Sequence, residues 1–257
     1  MMKNYLTAFV VAAMLLSFQA CGNKNESAEK NADEEKTEFA DLTEKDTEAQ
    51  EEATEESDAE ADDEAGSEIE KIAKVWRTQA IEVESGDITP GIQQFALAFC
   101  KTYPKYRSNA ALQSYLIDPK AYDEEKTGCH INDATKNGFL TSHAMSQFNL
   151  NTDCCYWKCN NGHRLVAFWL DEGFENPEND AQLALFYDYD PATDTMTPKP
   201  ELTDMILKAA KSADAYSVAL PEEGKDITLT LFTDGGDDNY NSTEKILKWN
   251  GQGFNLK

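Results

Sequence analysis

Residues 22 to 70 carry 21 acidic side chains against four lysines, a balance of −17. Phe39 is the only aromatic residue in that stretch. A segment of this kind cannot bury enough apolar surface to offset the entropy of ordering its backbone, so the sequence predicts a disordered acidic tether there. Whatever fold the chain makes must come from the residues after it. As a free coil the stretch spans about 40 Å, and self-repulsion lengthens it. The full 257 residues have a formal net charge of −25, so everything outside the tether shares only the remaining −8. Such a balance argues against a nucleic-acid partner, which requires a basic face to displace counterions. It argues equally against adhesion to anionic lipid through the protein's own charge. Hydrophobic residues at 40% and aromatics at 10% are nevertheless enough for a globular core.

The N-terminus reads as a targeting segment. Lys3 supplies a positive charge, and Tyr5 to Leu16 is an apolar run of 12 residues. That run is too short to span a bilayer core of about 30 Å as a helix. It is followed by Ser17, Phe18, Gln19, Ala20, Cys21 and Gly22. A short apolar region ending at a small residue predicts a secretory signal peptide over residues 1–20. Ala20-Cys21-Gly22 resembles a bacterial lipobox of the looser kind, in which the cysteine becomes the acylated N-terminus. The resemblance makes Cys21 the lipid attachment site and 21–66 a lipid-anchored linker. Because residue 22 is Gly and not Asp, similarity to enterobacterial sorting implies the outer membrane.

The folded part starts near Ser67 and runs to 257 as one domain. Ser67 is placed to cap a helix carrying Ile69, Ile72, Val75 and Trp76. Thr89-Pro90 reads as an N-cap with proline at the first helical position, ahead of Ile92, Phe95, Ala96, Phe99, Cys100 and Tyr103. A short helix is expected over Ala110 to Leu116. Strands are expected at Phe139 to His143, Cys154 to Asn160, His163 to Leu170, Leu183 to Tyr189 and Thr195 to Pro198. A helix over Glu201 to Lys211 precedes further strands at Tyr216 to Leu220, Ile227 to Phe232, Lys245 to Trp249 and Phe254 to Leu256. Helices first and hairpin-linked strands after them predict an α+β fold, with N-terminal helices on a mainly antiparallel, hairpin-rich sheet.

Asn161-Gly162 is the signature of a two-residue type I′ turn. That turn pairs Cys159 with Arg164, Trp157 with Val166 and Cys155 with Phe168. It groups Tyr156 and Trp169 on one face. Both faces of this hairpin are apolar, which fits a central hairpin covered on two sides. The other reading leaves one face open, so that Tyr156 and Trp169, with Asp171 and Glu172 at the strand end, stack on a sugar ring or hold a peptide.

Setting Cys21 aside leaves Cys100, Cys129, Cys154, Cys155 and Cys159, an odd number. Cys155 and Cys159 lie about 13 Å apart along one strand, too far to bridge. Cys100 lies on an apolar helix face, where a buried inert thiol is expected. Cys129, His130, Cys159 and His163 are zinc-type ligands, but the two-residue turn sends Cys159 and His163 to opposite faces. A three-residue loop would instead set them opposite each other, about 5 Å apart. Asp237-Asp238-Asn239-Tyr240-Asn241 begins like a calcium loop but lacks its sixth-position Gly and twelfth-position Glu. No metal and no cofactor are expected.

No nucleophile elbow, metalloprotease helix, P-loop or dinucleotide fingerprint is present. Ser142 and His143 are neighbours on a strand, so their side chains diverge. Asp171 and Glu172 are the kind of pair a glycosidase uses, though sequence cannot set their separation. The phrases Lys136-Asn137-Gly138-Phe139, Asn161-Gly162-His163-Arg164-Leu165-Val166 and Tyr187-Asp188-Tyr189-Asp190-Pro191 are similar to hairpins of secreted Bacteroidetes lipoproteins. The lipobox-like cysteine, acidic spacer and single domain resemble the same proteins. The resemblance implies envelope localisation. The expected function is a non-enzymatic binding domain with a glycan or protein partner, tethered to membrane through its lipid. The alternative is an extracytoplasmic hydrolase acting on glycan or peptide. Replacing Cys21 with Ala should abolish acylation and move the protein from the membrane to the soluble fraction, measured by fractionation and mass spectrometry.

Overall fold

The computed structural model describes residues 67–257 apart from 87, 145–149, 174–180 and 237–238. The expected signal peptide over 1–20, Cys21 and the expected linker over 21–66 lie outside the described residues, as does part of the calcium-like loop, while the last acidic residues of the 22–70 stretch, Glu68 and Glu70, are in the first helix. Seven strands form one antiparallel sheet: β1 (Ile81–Glu82), β2 (Cys129–Ala134), β3 (Phe139–Ala144), β4 (Leu150–Lys158), β5 (Arg164–Glu172), β6 (Ala181–Asp190) and β7 (Thr195–Pro198). Their order is β1-β7-β6-β5-β4-β3-β2. Four more make a second antiparallel sheet: β8 (Ala215–Ala219), β9 (Ile227–Gly236), β10 (Asn239–Trp249) and β11 (Phe254–Leu256), ordered β11-β10-β9-β8. The helices are α1 (Glu68–Val75), α2 (Ile92–Thr102), α3 (Arg107–Ile117), the single turn α4 (Glu124–Thr127) and α5 (Pro200–Ala210). The class is α+β with antiparallel sheets. The strands after α5 do not extend the first sheet as the sequence reading implied; they build a separate one.

Two apolar clusters lie on opposite faces of the large sheet. On one face, α1, α2 and α3 meet Cys154, Val166, Phe168, Leu185, Tyr187 and Tyr189. Phe99 of α2 stacks on Phe168 with ring centroids 3.8 Å apart, and Trp76 meets the Tyr187 ring edge-on at 6.1 Å. On the other face, Cys155, Trp157, Leu165, Ala167, Trp169 and Phe186 pack against α5 and the small sheet. Trp157 stacks near Trp249 at 5.8 Å and meets Phe254 edge-on at 5.0 Å, while its indole N–H donates to the Lys225 carbonyl at 2.8 Å. A strand buried on both faces is apolar at successive positions, which is why β5 has lost the usual alternation from Leu165 to Leu170. Helix α3 seats differently, through buried polar groups. The Ser108 hydroxyl donates to the Ser142 carbonyl, and the Thr152 hydroxyl donates to Asn109.

The register of β4 on β5 differs from the expected one by a single residue. Tyr156 pairs with Val166, Trp157 with Leu165 and Lys158 with Arg164. The Cys159 N–H donates to the His163 carbonyl at 3.0 Å, so the connecting loop has three residues, Asn160, Asn161 and Gly162. Gly162 has φ of +89°, and Asn161 is not among the residues with positive φ. A type I′ turn needs positive φ at both central positions, whereas a three-residue loop needs it only at the last. The chain puts that strain on glycine alone. The Asn161 side chain then accepts from the His163 N–H at 3.1 Å. A one-residue slip exchanges faces along the affected strand.

A second local difference lies at α2. Gly91, not Thr89, is its N-cap, with the Gly91 N–H donating to the Gln94 side chain at 2.8 Å. The Arg164 guanidinium donates to the Pro90 carbonyl and holds that residue in the preceding loop. Trp157 is 4% exposed, so Trp157→Ala should destabilise the domain by about 3–5 kcal/mol, read as a lowered urea midpoint at unchanged slope.

Candidate functional site

The expected aromatic platform does not assemble. Tyr156 points into the helical layer, edge-on to Phe95 at 5.7 Å with the Arg164 guanidinium 5.4 Å from its ring centre. Trp169 points to the other face, is 4% exposed and meets Tyr216 edge-on at 5.8 Å. Asp171 shares the Trp169 face and accepts from the Gln182 side chain at 3.3 Å. Glu172 faces the helices and is buried. Its carboxylate accepts from the Ser67 hydroxyl at 2.6 Å, and that hydroxyl accepts from the Ile69 N–H at 3.1 Å. Glu172 therefore completes the N-terminal cap of α1, where a negative charge meets unpaired backbone N–H groups. Adjacent residues on one strand point apart, so Asp171 and Glu172 cannot work as a carboxylate pair.

At that same end of the large sheet, His143 Nε2 lies 3.2 Å from Asp153 Oδ1, and the Thr141 hydroxyl donates to the same oxygen. The hydrogen bond to Asp153 raises the His143 pKa above 6.5, with burial opposing it and the charges of Asp153 and Asp171 adding to it. Ser142 is buried on the opposite side of the strand, so the two residues diverge as read from sequence.

The other end of the large sheet holds an open groove of about 480 Å3. His163, Asp188, Asp190, Thr195, Thr197 and Glu201 are among its lining. Strand register builds it: Asp190 pairs with Thr195 and Asp188 with Thr197. Along β6 these aspartates alternate with Tyr187 and Tyr189, which are buried under the helices. Strict alternation therefore sends both carboxylates to the opposite face, beyond the cover of the small sheet. His163 Nδ1 lies 2.9 Å from Asp188 Oδ2, and Nε2 lies 3.8 Å from Asp190 Oδ1. Asp190 also accepts from the Ala192 N–H at 2.8 Å in the β6–β7 turn. Lys199 and Glu201 form a partner pair at 3.2 Å. Burial pushes the half-buried Cys159 thiol upward, with the Leu165 backbone N–H pulling against it; Asp188 adds to the rise and Lys199 opposes it.

Sequence reasoning named His163 and Cys159 but placed them on opposite faces. It did not single out Asp188 and Asp190 as site residues. The signal was available in the Tyr-Asp-Tyr-Asp alternation, where the apolar phase fixes the polar one. A smaller groove of about 250 Å3 lies along Glu82, Glu84, Leu97 and Lys101, with Lys101 and Glu84 paired at 2.8 Å across it. Cys100, Cys129, Cys154 and Cys155 are buried free thiols. Among the described residues no three His, Cys, Asp or Glu side chains converge on one point as they stand, and no helix is long and apolar enough to cross a membrane. Compared with known families, curated proteins and solved structures, the chain matches no family model, no curated protein and no solved structure.

The His143–Asp153 pair has a pH signature. A histidine whose folded pKa is raised stabilises the fold fully below its unfolded pKa, and the contribution fades as pH rises through the folded pKa. His143→Gln should therefore cost stability at pH 5 and little at pH 9. The difference should not exceed about 1 kcal/mol, because the pair is half-exposed and screened. Urea titrations of both proteins across that range measure it.

Proposed function

We propose that this chain is a lipid-anchored cell-envelope protein whose domain, 67–257, binds a glycan or protein partner without transforming it. In this reading Cys21 carries the lipid at the outer membrane, and the acidic linker over 21–66 holds the domain off the surface. The observation that carries the binding role is the groove at His163. Its walls present hydroxyl and carboxylate oxygens to solvent from the ordered strands β6 and β7. Rigid strands holding a few polar groups suit recognition. The same geometry favours binding over hydrolysis. His163 Nδ1 is engaged by Asp188 at 2.9 Å and Nε2 lies 3.8 Å from the Asp190 carboxylate, so the hydrogen bond that holds the ring is to a carboxylate and not to a hydroxyl or thiol nucleophile. The raised Cys159 thiol lacks the thiolate character that a nucleophile needs.

Thr197 is exposed in the groove wall, so Thr197→Trp fills the site without touching the core. Wild-type protein should retain cell-wall glycan fragments or crosslink to an envelope protein, and the variant should lose about tenfold or more in affinity. Equal retention by the variant would move the site elsewhere. Release of new sugar reducing ends or new peptide termini would make the protein a hydrolase.

A further inference from the structure

We propose that Cys159, His163 and Asp190 form a site for one zinc-type divalent transition-metal ion, with Asp188 as the carboxylate that orients His163. This rests on the reading of the groove as the domain's ligand site and names the ligand class.

Four observations converge. The three-residue loop sets Cys159 directly opposite His163, joined by the N–H···O bond of 3.0 Å. Side chains so paired leave one face of the sheet with Cβ atoms about 5 Å apart. The β5–β6 register pairs Arg164 with Tyr189, and continuing it by one residue brings Asp190 beside His163. The three donor residues thus lie in one row across three neighbouring strands.

The second observation is the tautomer. A carboxylate only accepts, so Asp188 at 2.9 Å requires the proton to sit on His163 Nδ1. In the neutral ring Nε2 then carries the lone pair that a metal needs, which is the usual carboxylate–histidine–metal arrangement. Third, Nε2 lies 3.8 Å from Asp190 Oδ1, too far for a hydrogen bond. Two ligands at about 2.0–2.2 Å from a tetrahedral ion sit about 3.4 Å apart, so a shift of a few tenths of an ångström admits the ion between them. Fourth, the groove is open to solvent there, leaving the remaining position to water or to an oxygen of a bound partner.

The third donor is not yet in place. Cys159 is half-buried beside the groove and not in its lining, so metal uptake in this proposal requires its side chain to take the staggered position that faces His163. Binding balances as Cys–SH plus M2+ giving Cys–S–M plus one proton released to solvent. A thiolate, an imidazole and a single carboxylate favour zinc-type ions over calcium or magnesium, which prefer all-oxygen shells. A simple imidazolium held between two aspartates would account for Asp188 and Asp190 but leaves the thiol uninvolved, and the experiment turns on that difference.

The full-length protein is titrated with Zn2+ by calorimetry and with Co2+ by absorption spectroscopy, and Cys159 alkylation is followed by peptide mapping. The expected result is one tight ion per chain above any weak uptake by the acidic linker, with a cobalt–thiolate charge-transfer band and protection of Cys159. Cys159→Ser should remove the band and His163→Gln the tight site. Asp188→Asn, acting only through His163, should weaken binding about 10–100-fold while leaving the band's position unchanged. Equal uptake by wild type and His163→Gln, both folded by urea titration, overturns the proposal. So does a cobalt spectrum without a thiolate band. If the tight ion is absent while Thr197→Trp still abolishes partner binding, the metal assignment alone fails. If the ion binds and no partner does, the partner-binding reading alone fails.

Discussion

The register of β4 against β5 is the constraint on which the rest of the domain depends. Both strands are covered on two sides, so every side chain must match one of two different surroundings. One consists of the helices over Phe168 and Tyr187, the other of the small sheet over Trp157 and Phe186. Since successive side chains alternate, a slip of one residue would press Trp157 into the space shaped for Tyr156. Gly162 prevents this by accepting the single left-handed position that a three-residue loop requires. The same loop places His163 beside the aspartates of β6. The core and the groove are therefore set by one turn.

Burying the sheet on both sides has a second consequence, because polar groups at its ends must find partners inside the fold. Glu172 shows how this is met. Its carboxylate would be costly at the junction of helix and strand if left alone. Linked to the Ser67 hydroxyl, and through it to the first turn of α1, it becomes part of a helix cap. The Tyr106 hydroxyl lies within hydrogen-bond reach of the Asn151 and Asp171 carbonyls, at 3.0 and 2.7 Å, and serves the same strand end from α2–α3.

Much of the element order was legible in sequence because apolar periodicity reports burial directly. Phe95, Phe99 and Tyr103 mark α2 by their spacing, and Leu183 to Tyr187 marks β6 by its continuous apolar character. Ser67 was legible as a cap because its hydroxyl is the feature that makes one. β2 was not legible. It is an edge strand in which His130, Asn132 and Asp133 are exposed, so it carries little hydrophobic signal. α3 was legible only from Ala110 to Leu116; its first turn escaped for a related reason, since Ser108 and Asn109 are buried there by hydrogen bonding, which a hydrophobic pattern does not show. Of the site, His163 and Cys159 were visible as residue types. Their relation was hidden, because Asn-Gly allows two loop lengths and backbone dihedrals decide between them. Tyr156, Trp169 and Glu172 attracted attention for their chemistry, and each is used in packing or capping.

The bond between Ser67 and Glu172 also fixes where the chain enters the domain. Glu172 ends β5, and the groove lies beyond the strand's other end, next to Arg164. Nine residues of extended strand cover about 27 Å. A pull on the polypeptide ahead of Ser67 would thus be borne first by the α1 cap and the end of β5. The groove would stand at the far end of that lever, outside the load path. If the chain is tethered ahead of Ser67 as proposed, contacts made in the groove would persist while that tether is under tension.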